Sequence, residues 1–155
     1  MKAGVFERRR MGKKKAKATE FVLDCSITLT WFFEDETDDY ADAVEDALTE
    51  ATAIVPSLWW LEVANALLVG ERRKRTTEAK NMQFLALLRL LPILPDDETA
   101  SRAWQESLIL ARTHNLSVYD AAYLELALRR GMQLATNDTK LQAAARAVGV
   151  REFSA

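Results

Sequence analysis

The chain has 155 residues, 49% of them apolar and 28% charged, with a formal net charge of -2: an ordinary composition for one globular domain with a substantial core. One cysteine, Cys25, excludes an internal disulfide, and together with the lone His114 nearly excludes a Cys/His zinc site, so any metal is held by oxygen, which points to magnesium or manganese. No apolar stretch approaches the roughly 18 residues of a membrane span, and the basic start lacks the apolar core of a signal peptide, so a cytoplasmic protein with no membrane partner is expected.

Charge is uneven along the chain. Residues 1–20 hold eight Lys and Arg against Glu7 and Glu20, a local charge of +6, which leaves -8 for the rest. The division expected is a disordered basic extension over 1–20, with Met11 as an alternative start, and a folded domain over 21–155. Nucleic-acid contact is the functional reading of the tail.

Residues 21–27 read as a short strand buried on both faces, since the apolar run has no period-two alternation. Asp24 lies within it. Residues 28–34 supply one or two helical turns with Trp31, Phe32 and Phe33, and Asp38 and Asp39 open a second helix. A strand at 53–55 is closed by Pro56. From Ser57, read as the N-cap, runs a helix apolar nearly all round and so expected to be buried, carrying Glu62 and Asn65. It ends in the basic cluster 72–75. Thr76 and Thr77 restart a helix, and residues 92–95 form a proline-bracketed strand suited to a sheet edge. Asp96 and Asp97 cap a helix that fades at His114. Ser117 begins another, carrying Asp120 and ending at Gly131. Residues 132–136 make a strand, 139–148 a last helix, and 150–153 a closing strand.

Strands alternating with helices imply an α/β fold, a three-layer sandwich around a mostly parallel four- to five-stranded sheet. Sites in such folds form beyond the carboxyl ends of the strands, where the strand order switches. Asp24, Glu62, Asp120 and Asp138 all fall at that edge. Each has a plain structural alternative. Asp120 completes a capping-box pattern with Ser117, Asp138 suits an N-cap, and Glu62 fits a rim position or an arginine pair. Asp24 is the hardest to explain without a cation or a hydrogen-bond network, because a charge in a core strand is costly unless partnered.

The segments Val22-Leu23-Asp24-Cys25-Ser26, Trp60-Leu61-Glu62-Val63-Ala64-Asn65, Leu116-Ser117-Val118-Tyr119-Asp120 and Leu134-Ala135-Thr136-Asn137-Asp138 occur in order at a specific spacing. Through them the sequence resembles the PIN-domain family, and within it the VapC-type toxins of bacterial toxin–antitoxin pairs. The resemblance places the family's four acids on Asp24, Glu62, Asp120 and Asp138. It places a small hydroxyl residue on Ser26 and the threonine before the last acid on Thr136. It implies a PIN-like fold, a Mg- or Mn-dependent endoribonuclease acting on tRNA or rRNA, a homodimer and a cognate antitoxin. Ser26, Asn65, Thr136 and Asn137 are then contacts to the acids or the RNA substrate. Arg72, Arg73, Lys74, Arg75, Arg129, Arg130, Lys140 and Arg146 are candidate phosphate contacts, with solvated helix ends as the alternative. The rivals are a non-catalytic PIN-like module that binds RNA or protein, and a magnesium phosphatase. The phosphatase usually needs a second Asp where Ser26 stands.

Overall fold

The computed structural model describes residues 19–33 and 38–155. Most of the expected basic extension, and Glu34 of the expected first helix, lie outside the described residues. Four strands, β1 (Thr19–Leu23), β2 (Ala51–Pro56), β3 (Ile93–Asp96) and β4 (Gln133–Ala135), form one parallel sheet in the order β3-β2-β1-β4. Helices flank it: α1 (Cys25–Phe32), α2 (Asp39–Ala47), α3 (Trp59–Arg72), α4 (Glu78–Leu88), α5 (Thr99–Arg102), α6 (Leu108–His114), α7 (Val118–Arg130) and α8 (Thr139–Ala147). A π-helical stretch, Ala103–Ser107, joins α5 to α6.

The central strand is apolar without alternation because both its faces are covered: Phe21, Val22 and Leu23 are wholly buried. β3, with Pro95 in it, lies at the sheet edge as its prolines require. The expected closing strand is reduced to one parallel bridge between Leu134 and Glu152. Phe153 nevertheless stacks on Phe21, with ring centroids 3.9 Å apart, and fixes the carboxyl end against the sheet.

Sequence order also sets where a site can form. The chain steps from β1 outward to β2 and β3, then returns to lay β4 on the other side of β1. The carboxyl ends of β1 and β4 therefore flank the switch in strand order, where the ends of neighbouring connections part and leave a crevice.

Several local expectations fail. The strand expected over 21–27 is displaced toward the amino end: β1 runs from Thr19 to Leu23, so Asp24 follows it and residues 25–27 open α1. Ser57 does not cap α3: Leu58 occupies that position, and the Ser57 amide donates to Thr99 Oγ1 at 2.9 Å. β2 continues through Pro56 and leaves Ser57 in the turn. Nor is α3 buried all round, for only Trp59, Val63, Leu67 and Gly70 are, on one stripe. Trp60, Leu61 and Leu68 face solvent, because the core and α1 cover one side of the helix only. Asp96 and Asp97 do not cap the helix that follows β3 either: Asp96 ends β3, and Glu98 stands at the N-cap of α5 without a side-chain cap. Other helix signals hold. Asp38 caps α2, Thr77 caps α4, Ser117 caps α7, and Gly131 ends α7 in the left-handed region at φ 63°.

Candidate active site

Asp24 follows β1 at the N-cap position of α1, yet its carboxylate caps nothing. It turns instead across the switch point to the loop after β4. Ser26 Oγ and Thr136 Oγ1 both donate to Asp24 Oδ2, at 2.6 and 2.7 Å. The same two hydroxyls accept backbone amides, Ser26 from Asn137 at 3.0 Å and Thr136 from Asp138 at 3.0 Å. A hydroxyl has one proton, so these acceptances fix both protons toward Asp24. Two backbone dipoles are thereby relayed onto one oxygen of a carboxylate only 4% exposed. Among the described residues no hydrogen bond is made to its other oxygen, Oδ1.

The remaining acids approach from three helices. Glu62 lies in the first turn of α3 and accepts the Tyr123 hydroxyl at Oε1, 2.5 Å away. Asp120 lies in the first turn of α7. Ser117 Oγ accepts its amide at 3.0 Å, but among the described residues the Asp120 carboxylate makes no return bond to the Ser117 amide, so the capping box is only half formed. Asp138 does cap α8, accepting the Leu141 amide at Oδ1, 2.8 Å away. Its structural alternative therefore holds, and the carboxylate keeps a second oxygen.

Electrostatics ties the acids into one neighbourhood. Burial raises Asp24 above the usual carboxylate range; the Ser26 and Thr136 hydroxyls oppose this, and the charges of Asp120 and Asp138 add to it. Burial pushes Glu62 up to about 7, opposed by Tyr123 and reinforced by Asp24 and Asp120. Asp120 is raised by burial, against the Ser117 hydroxyl, and further by Asp138, against Lys140. Desolvation and like charge both disfavour the ionised forms. Among the described residues no three acids close around a single point tightly enough to grip an ion.

A family model described as PIN domain matches residues 21–147. The chain belongs to the PIN domain family. No curated protein matches it in sequence. Its fold is similar to that of PAE2754 from Pyrobaculum aerophilum, 24% identical over 83% of this chain and 87% of that one, with a TM-score of 0.58. A toxin–antitoxin complex from Klebsiella pneumoniae is 19% identical over 79% and 90% of the two chains, with a TM-score of 0.54. VapBC2 from Rickettsia felis, bound to a DNA fragment from their promoter, is 16% identical over 81% and 92%, with a TM-score of 0.57. At these identities the likeness is one of fold.

In this PIN domain the supporting residues fall into two groups. Ser26, Thr136 and Asn137 are bonded into the Asp24 network, whereas Asn65 is exposed on α3 and Tyr123 takes the role of bonding Glu62. The sequence reading gives Tyr123 no role and Asp38 only that of opening α2. Asp38 Oδ2 accepts Asn137 Nδ2 at 2.6 Å and ties the start of α2 to the loop after β4. Arg129 departs from its expected role: it is 16% exposed and engaged by Asp96, Glu98 and Glu125, so it is structural rather than a phosphate contact. Cys25 is a small buried residue, its thiol raised by burial and then by Glu62 and Asp24.

The raised acids give the fold a pH dependence of definite sign. Between its ordinary value of 4.5 and about 7, Glu62 stays protonated in the folded chain and ionised in the unfolded one. Its contribution is thus present below pH 4.5 and lost as pH rises through 7. In urea melts without divalent ions, the wild type should lose stability relative to Glu62→Gln across this window. A constant difference from pH 4 to pH 8 would contradict the assignment.

Proposed function

We propose that this PIN domain is a Mg2+- or Mn2+-dependent endoribonuclease that cleaves tRNA or rRNA, and that it is the toxin of a toxin–antitoxin pair. PIN domains are generally nucleases, and two of the similar folds come from complexes titled toxin–antitoxin and VapBC2. A cognate antitoxin is accordingly the proposed protein partner, with a homodimer as the assembled form and the cytoplasm as its place. No helix among the described residues is long and apolar enough to cross a membrane. The observation that carries the reading is Asp24: a buried carboxylate with one oxygen fixed by two hydroxyls and the other without a donor among the described residues, beside three further acids.

The donor set fits a hard divalent cation. Every candidate is oxygen, and the mutual repulsion of the acids is relieved by positive charge. Magnesium keeps several waters and binds through one or two carboxylates, so close convergence of three acids is not required. Asp24, Glu62, Asp120 and Asp138 would hold the ion, one or two of them directly and the others through its bound waters. When bound it lowers the pKa of water and neutralises charge on the phosphodiester. Ser26 and Thr136 orient Asp24, and the loop 136–138 is itself held by Asp38 and by Gln142, whose Nε2 donates to the Thr136 carbonyl at 2.9 Å. Lys140, which opposes the rise of Asp120, is the cation nearest in the chain to Asp138 and suits a phosphate contact.

The test is cleavage of structured RNAs, tRNA and ribosomal fragments among them, with Mg2+ or Mn2+ and with chelator. Metal-dependent, chelator-sensitive products are expected. RNA retained without such products would instead make the chain a binding module.

A further inference from the structure

Among the described residues Glu62 is the only one of the four acids whose carboxylate takes a hydrogen bond from a tyrosine, and that tyrosine is wholly buried. Tyr123 lies on α7 three residues after Asp120, one turn along the same helix face. Its ring is locked in the core, and its hydroxyl reaches α3, 61 residues earlier in sequence, to bond Glu62 Oε1. Among the described residues no hydrogen bond to the Glu62 carboxylate is made other than that of Tyr123. Without that bond the carboxylate at this half-buried position would keep much of the rotamer freedom of a long side chain.

We infer that Tyr123 is a positioning residue, fixing Glu62 by one oxygen so that the other is the one presented to the cation. The inference rests on Glu62 being a ligand in the proposed site. It also couples two ligands, because the same helix that sets Asp120 sets the donor to Glu62. The ring supplies packing whether or not the hydroxyl is there, so Tyr123→Phe removes the hydrogen bond alone.

The experiment is calorimetric titration of Mn2+ into the wild type, Tyr123→Phe, Glu62→Gln and the double variant, each checked for folding by its thermal melt. Tyr123→Phe should weaken Mn2+ binding by about tenfold or more, the usual loss when a residue that orients a ligand is removed. The double variant should bind no more weakly than Glu62→Gln, because the hydroxyl acts only through that carboxylate. A hydroxyl acting on the site by a route other than Glu62 would carry its full loss into the Glu62→Gln background, and additive losses would overturn the inference. Wild-type affinity in Tyr123→Phe with weakened binding in Glu62→Gln would overturn it while leaving the site reading in place. Undiminished binding in Glu62→Gln would overturn both. A readout that needs no substitution at Tyr123 is its labelled ring carbon by NMR. The signal should shift on adding Mg2+ to the wild type and stay fixed in Glu62→Gln; a signal indifferent to Mg2+ in the wild type would also overturn the inference.

Discussion

Asp24→Asn should leave the chain folded, equal or higher in stability without metal, and almost without cleavage activity. The three effects share one cause. In the wild type without a cation, the buried carboxylate pays for desolvation and for the nearby charges of Asp120 and Asp138. An amide removes both costs, and its carbonyl oxygen can still accept from Ser26 and Thr136 in the place of Oδ2. The same neutral group no longer offers an anionic oxygen to a divalent ion, so Mn2+ affinity falls and the cleavage rate drops by orders of magnitude. A residue retained only for structure behaves in the opposite way, losing stability on substitution and keeping activity. Thermal melts with and without Mn2+, read beside RNA cleavage, separate the two. Equal Mn2+ affinity in wild type and variant would contradict a shared site.

Arg129→Met should cost about 3–5 kcal/mol of stability, the usual penalty for removing one partner of a buried ion pair. Arg129 Nη2 and Nη1 donate to both oxygens of Asp96, at 2.7 and 3.2 Å, and Nε donates to Glu125 at 2.7 Å. Asp96 and Glu125 are 6% and 4% exposed, so neither carboxylate regains water when the guanidinium is lost. Methionine keeps most of the stem, and the loss therefore isolates the charge. Lysine is a poor rescue, because a single ammonium cannot reproduce the fork that spans the end of β3 and the α7 turn. Adding Asp96→Asn and Glu125→Gln should recover much of the loss. Urea denaturation measures it, and an unchanged midpoint would make the network ornamental.

The sheet was legible because its strands are apolar runs closed by turn signals, and helix starts were legible where a side chain truly caps, as at Asp38, Thr77 and Ser117. Asp24 stood out because a charge inside an apolar run has few cheap explanations. Tertiary reach was not legible. Tyr123 meets Glu62 across 61 residues and Asp38 meets Asn137 across 99, and no local pattern records either bond. Exposure of α3 was misjudged for a related reason: an apolar helix is buried only as far as other elements cover it, and Leu61 and Trp60 are left uncovered. Arg129 read as a free cation because its partners come partly from β3, and sequence alone does not bring that strand end to the last turn of α7. The closing strand failed at its length, with one bridge formed where a ladder was expected.

The central claim is that the four acids act as one catalytic unit, and the measurement that tests it most directly is RNA cleavage by Glu62→Gln and Asp120→Asn, alone and combined, at saturating Mg2+ or Mn2+. Residues that serve only as caps or rim charges lose about 1 kcal/mol of stability and little else. The result expected is folded single variants slowed by orders of magnitude, and a double variant hardly slower than either, since a disabled site has little left to lose. Cleavage at the wild-type rate by both single variants would contradict it.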